Sequence, residues 1–83
     1  MRADEVLADT ANETEVNGLV IRKGSVGAFL ANAKTFADSS ASAEARAIAE
    51  RDIIEGLPAL RALGFFDILQ IRDEHLRAFV EAH

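Results

Sequence analysis

The spacing of apolar and polar residues changes period several times along the chain, and each change marks an element. Between Thr14 and Arg22 the pattern is that of a strand pair. Asn17-Gly18 supplies the two positive-φ residues that a type I′ turn requires, and β-branched residues flank it. A two-residue loop sets Val16 opposite Leu19 and Thr14 opposite Ile21. Val16, Leu19 and Ile21 then share one face, while Glu15 and Val20 point the other way. A lone hairpin is marginal in water, so this face is expected to lie on helices.

After Gly24 the period becomes helical. Val26, Phe29, Leu30, Ala33, Phe36 and Ala37 recur at the spacing of one helix face, which predicts a helix from Val26 to about Ala37 with Ser25 as its N-cap and the centre of the core on its stripe. Gly27, Ala28 and Ala31 are small residues off that stripe, where a packed strand or a second copy has room to approach. Asp38 to Ser42 is a connector.

A second helix is expected from Ser42, as N-cap, to about Gly56, with Ala45, Ile48, Ala49, Ile53 and Leu57 facing the core. Arg46 and Glu50, and Arg51 and Glu55, are four apart on its solvated face. Gly56-Leu57-Pro58 is expected to interrupt it, because Pro58 has no amide to donate and disfavours a helical Leu57. Pro58 then opens a separate turn to Leu63, closed by Gly64. Gly64 to Ile71 fits two patterns, a strand added to the hairpin or a helical turn capped by Asp67. The last helix, Asp73 to Ala82, has Asp73 as its cap, the stripe Leu76, Phe79 and Val80, and a favourable pair between Asp73 and Arg77. Upstream, Ala3, Val6, Leu7 and Ala11 form a weaker stripe, with Asp4 and Glu5 near the positive helix end. The sum is a mainly helical α+β fold, one domain over residues 1–83, with an N-terminal β-hairpin packed on three to four short helices.

Composition narrows the setting. With 83 residues the core is small, and without Cys neither disulfides nor a Cys-bearing metal site can brace it. Self-association as a homodimer is the expected support, with a protein partner as a further expectation. Fourteen carboxylates against nine Lys and Arg give a net charge of −5, which opposes a phosphate backbone and argues against nucleic acid. Acids stand where a signal peptide carries bases, and no apolar run approaches the roughly 20 residues of a membrane span. A cytoplasmic location without membrane attachment is expected.

Candidate chemistry is sparse. His75 and His83 lack a third ligand at a matching helical spacing, and Asp73, Glu74 and His75 point about 100° apart in turn on a helix. No catalytic, cofactor-binding or metal-ligating residue is therefore assigned, and no cofactor is expected. Arg22 and Lys23, before a Gly24-Ser25 helix start, are candidate contacts for an anion or a partner together with Ser25. Neither glycine-rich phosphate signature is complete there, and turn and packing roles account for the glycines. Phe65, Phe66 and Val80 are the candidate apolar interface.

Asn17-Gly18, then Gly24-Ser25-Val26-Gly27-Ala28-Phe29-Leu30-Ala31-Asn32, and later Gly64-Phe65-Phe66-Asp67-Ile68, resemble a group of small uncharacterised bacterial proteins. In these a strand turn leads into a Gly-Thr/Ser-Val helix start and a Gly-Leu/Phe-Phe-Asp box follows. The resemblance covers about a third of the chain. It implies a stand-alone bacterial domain without an assigned activity and transfers no functional residue. A low share of Lys among the bases and abundant Ala fit a GC-rich bacterial genome. The function expected is a small non-catalytic interaction or regulatory module that self-associates. The alternative is a small-molecule or anion-binding subunit, with or without catalysis, sited at Arg22, Lys23 and Ser25 and completed across a dimer by carboxylates such as Asp67.

Overall fold

The computed structural model describes residues 1–6, 8 and 10–83, with backbone only for Ala3 and Val6. In order the elements are α1 (Ala3–Val6), β1 (Glu13–Val16), β2 (Leu19–Arg22), α2 (Ser25–Ala37), α3 (Ala43–Ala62), α4 (Phe65–Ile68) and α5 (Glu74–Glu81). The fold is mainly helical α+β, a two-stranded antiparallel hairpin followed by helices. α1 is a single turn. Of the stripe expected there, Leu7 lies outside the described residues and Ala11 lies beyond the helix.

The hairpin has the register expected from its turn, with Val16 facing Leu19 and Thr14 facing Ile21. Asn17 and Gly18 take φ of 51° and 80°, as a type I′ turn demands. Ile21 is buried while Glu15 and Val20 are exposed. The turn is also tied to the helices: the Asn17 side-chain amide donates to the Ala62 carbonyl at 2.8 Å, satisfying one of the acceptors that a helix leaves open at its C-terminus.

α2 begins one residue earlier than its stripe, and its N-cap is Gly24 rather than Ser25. Gly24 adopts φ 88°, a left-handed conformation that glycine alone takes freely. Ser25 is already helical, and its hydroxyl donates to the Arg22 carbonyl at 2.6 Å instead of accepting from a helix amide. Only Phe29 of the predicted stripe is fully buried; Ala33 and Phe36 are partly so, and Val26, Leu30 and Ala37 are exposed. Nothing lies within 4 Å of where a Cβ on Gly27 would sit. The close-packed strand expected beside Gly27, Ala28 and Ala31 is not supplied by this chain among its described residues.

The largest departure is at Pro58. The expected break at Gly56-Leu57-Pro58 does not occur, and α3 runs through Pro58 to Ala62. Ile53, Leu57 and Leu60 are each 1% exposed, and their spacing of four and then three keeps them on one face only if the helix continues. A proline inside a helix costs about 3 kcal/mol. Burying each of two leucines is worth roughly 1.5–3 kcal/mol, so together Leu57 and Leu60 offset it. Pro58 and Ile54 are both exposed, so water can serve the Ile54 carbonyl that Pro58 leaves without a donor. At the other end Ser42 caps as expected, accepting from the Ala45 amide at 3.0 Å, and Gly64 closes the helix at φ 78°.

Gly64 to Ile71 is a turn of helix, α4, followed by extended chain, and adds no strand to the hairpin. Its N-cap is Gly64, not Asp67. The reason lies in the adjacent pair Phe65 and Phe66. Both rings meet Phe29 edge to face, at 6.1 and 5.9 Å, whereas neighbouring residues on a strand point to opposite faces. α5 follows its predicted stripe: Leu76 and Val80 are buried, the Phe79 ring meets that of Phe36 at 5.2 Å in a tilted contact, and Asp73 accepts from the Leu76 amide at 2.9 Å. Phe29, Ile53, Leu57, Leu60, Leu76 and Val80 form one core cluster.

The four-apart charge pairs do not form. The ion pairs among the described residues are Arg22 with Glu13 and Arg51 with its neighbour Asp52, and Arg77 donates to the Ile71 carbonyl at 3.1 Å instead of meeting Asp73. Exposed pairs are worth so little that a local acceptor outcompetes them.

Because Pro58 sits inside a continuous helix, Pro58→Ala should raise unfolding stability by about 1–3 kcal/mol in urea titration. A loss of stability would mean that the proline sets a helix boundary.

Candidate functional site

Arg22 closes β2, and Lys23 and Ser25 flank the turn into α2. The three line one cleft of about 270 Å³ against α3, which contributes Asp52 and Gly56. The Ser25 hydroxyl and the Arg22 guanidinium do not share a partner. The Ser25 hydroxyl is held by the Arg22 carbonyl. The Arg22 guanidinium lies 3.5 Å from Glu13 with most of its side chain in solvent, and Arg51 engages Asp52 at 3.3 Å. No histidine lines this cleft, and the Ser25 hydroxyl donates to the Arg22 carbonyl rather than to a side-chain base. Asp67, the carboxylate expected to complete the site from a second copy, borders a different groove.

That other groove, of about 380 Å³, carries Arg61 and Arg77 beside Asp67 and Glu81. Its cations are engaged by the fold. Arg61 donates to the Val80 and His83 carbonyls at 3.2 and 3.3 Å, which ties α3 to the end of α5. His83 places Nδ1 2.7 Å from the Phe79 carbonyl and its ring 4.6 Å from the Phe79 ring. Among the described residues no three His, Cys, Asp or Glu side chains come together as metal ligands.

The expected apolar interface is displaced. Val80 is 4% exposed and belongs to the core, while Phe65 and Phe66 are half-buried against it. α4 turns the Phe65 and Phe66 rings onto Phe29, and of the three only Phe65 also reaches the open groove beside α2. The apolar surface lies elsewhere. Val26 and Leu30 on α2, and Ile68 and Leu69 after α4, are exposed, Leu30 by 50% and Leu69 by 52%. Leu30 and Leu69 line a second groove of about 270 Å³, with Ala33, Phe65, Ile71 and Leu76 among its walls and no charged residue in its lining.

Sequence patterning assigned Leu30 to the core and drew no attention to Leu69. A signal was present: the six apolar positions of α2 span an arc of roughly 120° at 100° per residue, wider than a single neighbouring helix covers.

Asp38, the C-cap residue of α2, is the one group with a clear electrostatic signature among the described residues. The Ser40 hydroxyl donates to it at 2.6 Å and the Ser40 amide at 2.9 Å. These bonds, the hydroxyl first, and the charge of Arg46 hold its pKa below the ordinary aspartate value.

Comparison of the chain with family models, with curated proteins and with solved structures finds no match. Among the described residues no helix is long and apolar enough to cross a membrane.

The folded-state pKa of Asp38 is lowered, so its contribution to stability is present above the ordinary aspartate value and is lost as pH falls through the lowered one. Ser40→Ala should move the Asp38 carboxyl titration, followed by NMR, up toward the ordinary value. An unchanged midpoint would rule out the Ser40 hydroxyl as the cause.

Proposed function

We propose that this chain is a small non-catalytic interaction module that acts as a self-associated pair. The observation that carries the reading is the uncharged groove rimmed by Leu30 and Leu69. Apolar surface gathered around a hollow is a feature of binding surfaces rather than of inert ones. The ratio of inside to outside supports it. Among the described residues eight hydrophobic side chains are buried, while nine large ones are exposed. A second copy covering part of that surface adds the burial that a domain of this size lacks. On the chemical side, the Ser25 hydroxyl and the Arg22 guanidinium of that cleft are engaged in local bonds, an arrangement suited to structure rather than turnover.

Sedimentation equilibrium over a micromolar concentration series tests this directly. The expected result is a species of twice the monomer mass, with thermal stability that rises with protein concentration. A monomer whose stability is independent of concentration would overturn the reading.

A further inference from the structure

We infer that Asn17 is a site of spontaneous deamidation, and that its conversion to a carboxylate releases the hairpin from α3 in one irreversible step. Asparagine is a thermolabile residue, and the reaction needs two things side by side. One is a side-chain amide whose carbon the next backbone nitrogen can attack; the other is a next residue without a side chain to obstruct the attack. Asn17-Gly18 supplies both, and both residues are exposed. Nothing lies within 4 Å of where a Cβ on Gly18 would sit, so the space beside the attacking nitrogen is open. Asn12 and Asn32 lack this arrangement. Asn12 is followed by Glu13 of β1, and Asn32 by Ala33 inside α2, whose amide is bound into the helix.

The reaction balances with water alone. The Gly18 nitrogen gives up its proton to solvent and bonds to Asn17 Cγ, the bond from Cγ to the side-chain nitrogen breaks, and that nitrogen leaves as ammonia. The cyclic imide so formed takes up one water molecule at either of its carbonyls. One opening gives aspartate. The other gives isoaspartate, in which the main chain runs through Cβ and Cγ and is one carbon longer. Nothing is oxidised or reduced.

In the folded chain the leaving nitrogen has a structural task. Asn17 Nδ2 donates to the Ala62 carbonyl at 2.8 Å, joining the hairpin turn to the last residue of α3. The Leu63 and Gly64 amides donate to Ala59 and Arg61, so neither covers the Ala62 carbonyl. A carboxylate has no hydrogen to donate, and it would stand against an acceptor at the partially negative end of a helix. Attraction becomes repulsion. Isoaspartate adds a second effect, because its extra main-chain carbon does not fit the two-residue loop that sets Val16 opposite Leu19. Two strands alone are marginal, so the hairpin then relies on the burial of Ile21.

The same hydrogen bond governs the rate. While it is made, the Asn17 amide is held at Ala62, and attack on Cγ requires the side chain to swing back toward Gly18. Each conversion therefore begins with the tie open and prevents it from closing again. Asn17 is a latch that works once.

The test incubates the whole chain in mildly alkaline buffer, folded or unfolded in urea, with peptide mass spectrometry to place each amide-to-acid conversion. Asn17 should convert in the folded chain while Asn12 and Asn32 stay intact, and faster in urea. The converted chain, separated by its added negative charge, should show β2 amides exchanging with solvent about threefold to tenfold faster, the scale of one lost hydrogen bond. Asn17→Asp should reproduce that change without incubation. Asn17→Gly keeps the turn but has no amide, so it should not convert at this position and should exchange more slowly than Asn17→Asp. A folded chain that keeps Asn17 intact while the chain in urea converts it overturns the modification. Equal rates in the two overturn control by the tie. Unchanged β2 exchange in the converted chain overturns the release, and that measurement decides the matter if Asn17→Asp fails to fold.

Discussion

The packing of one face of α3 is the constraint on which the other elements depend. Ile53, Leu57 and Leu60 are almost fully buried, and they join Phe29 of α2 with Leu76 and Val80 of α5 in one cluster. A 20-residue helix supplies the one surface long enough to receive both α2 and α5. Keeping Leu57 and Leu60 in register with Ile53 is worth more than the penalty of an internal proline. Once α3 is continuous, Gly64 must turn the chain sharply at its end, which brings Phe65 and Phe66 back onto Phe29.

Around that core the periphery is fastened by single polar ties rather than by ion pairs. Asn17 anchors the hairpin turn to the last turn of α3, Arg61 ties α3 to the end of α5, and Arg77 holds the extended segment before α5 through Ile71. Each places a side-chain donor on a main-chain carbonyl that would otherwise need water, at helix ends or in extended chain. Such bonds outperform the surface charge pairs that the sequence offers, because backbone acceptors are fixed in space and long exposed side chains are not. The consequence is a surface whose charges are largely solvated, and whose apolar residues beside α2 are left uncovered.

The features most legible in the sequence are those decided locally. The Asn17-Gly18 turn sets its own register, Ser42 and Asp73 cap the helices they precede, and the Leu76, Phe79 and Val80 stripe needs only a helical period. What was illegible depends on competition between distant residues. Pro58 is a breaker by its local chemistry, and only the burial of Leu57 and Leu60 against other elements overrides it. The preference of Gly64 to Ile71 for a helical turn comes from Phe29, thirty-six residues before Phe65. At the candidate site, Arg22, Lys23 and Ser25 are brought to one cleft, but nothing in the local pattern places Asp52 beside them or ties the Ser25 hydroxyl to Arg22 and the Arg22 guanidinium to Glu13. Val80 is core because α5 turns it into the central cluster, and Leu30 is surface because the neighbours of α2 cover only part of its stripe. Helical periodicity gives the width of an apolar stripe and not the part of it that a neighbour covers.

The self-association we propose rests on the same economy that builds the core: α3 buries the side chains it can reach, and the outer edge of the α2 stripe stays uncovered among the described residues. All of it depends on α3 being one helix. Amide hydrogen exchange in the native state tests that claim most directly. Continuous strong protection from Ile53 through Leu57 and again from Ala59 to Leu63, among the slowest amides of the chain, is the result this account predicts. Rapid exchange from Ala59 to Leu63, beside slow exchange before Gly56, would show two separate segments and contradict it.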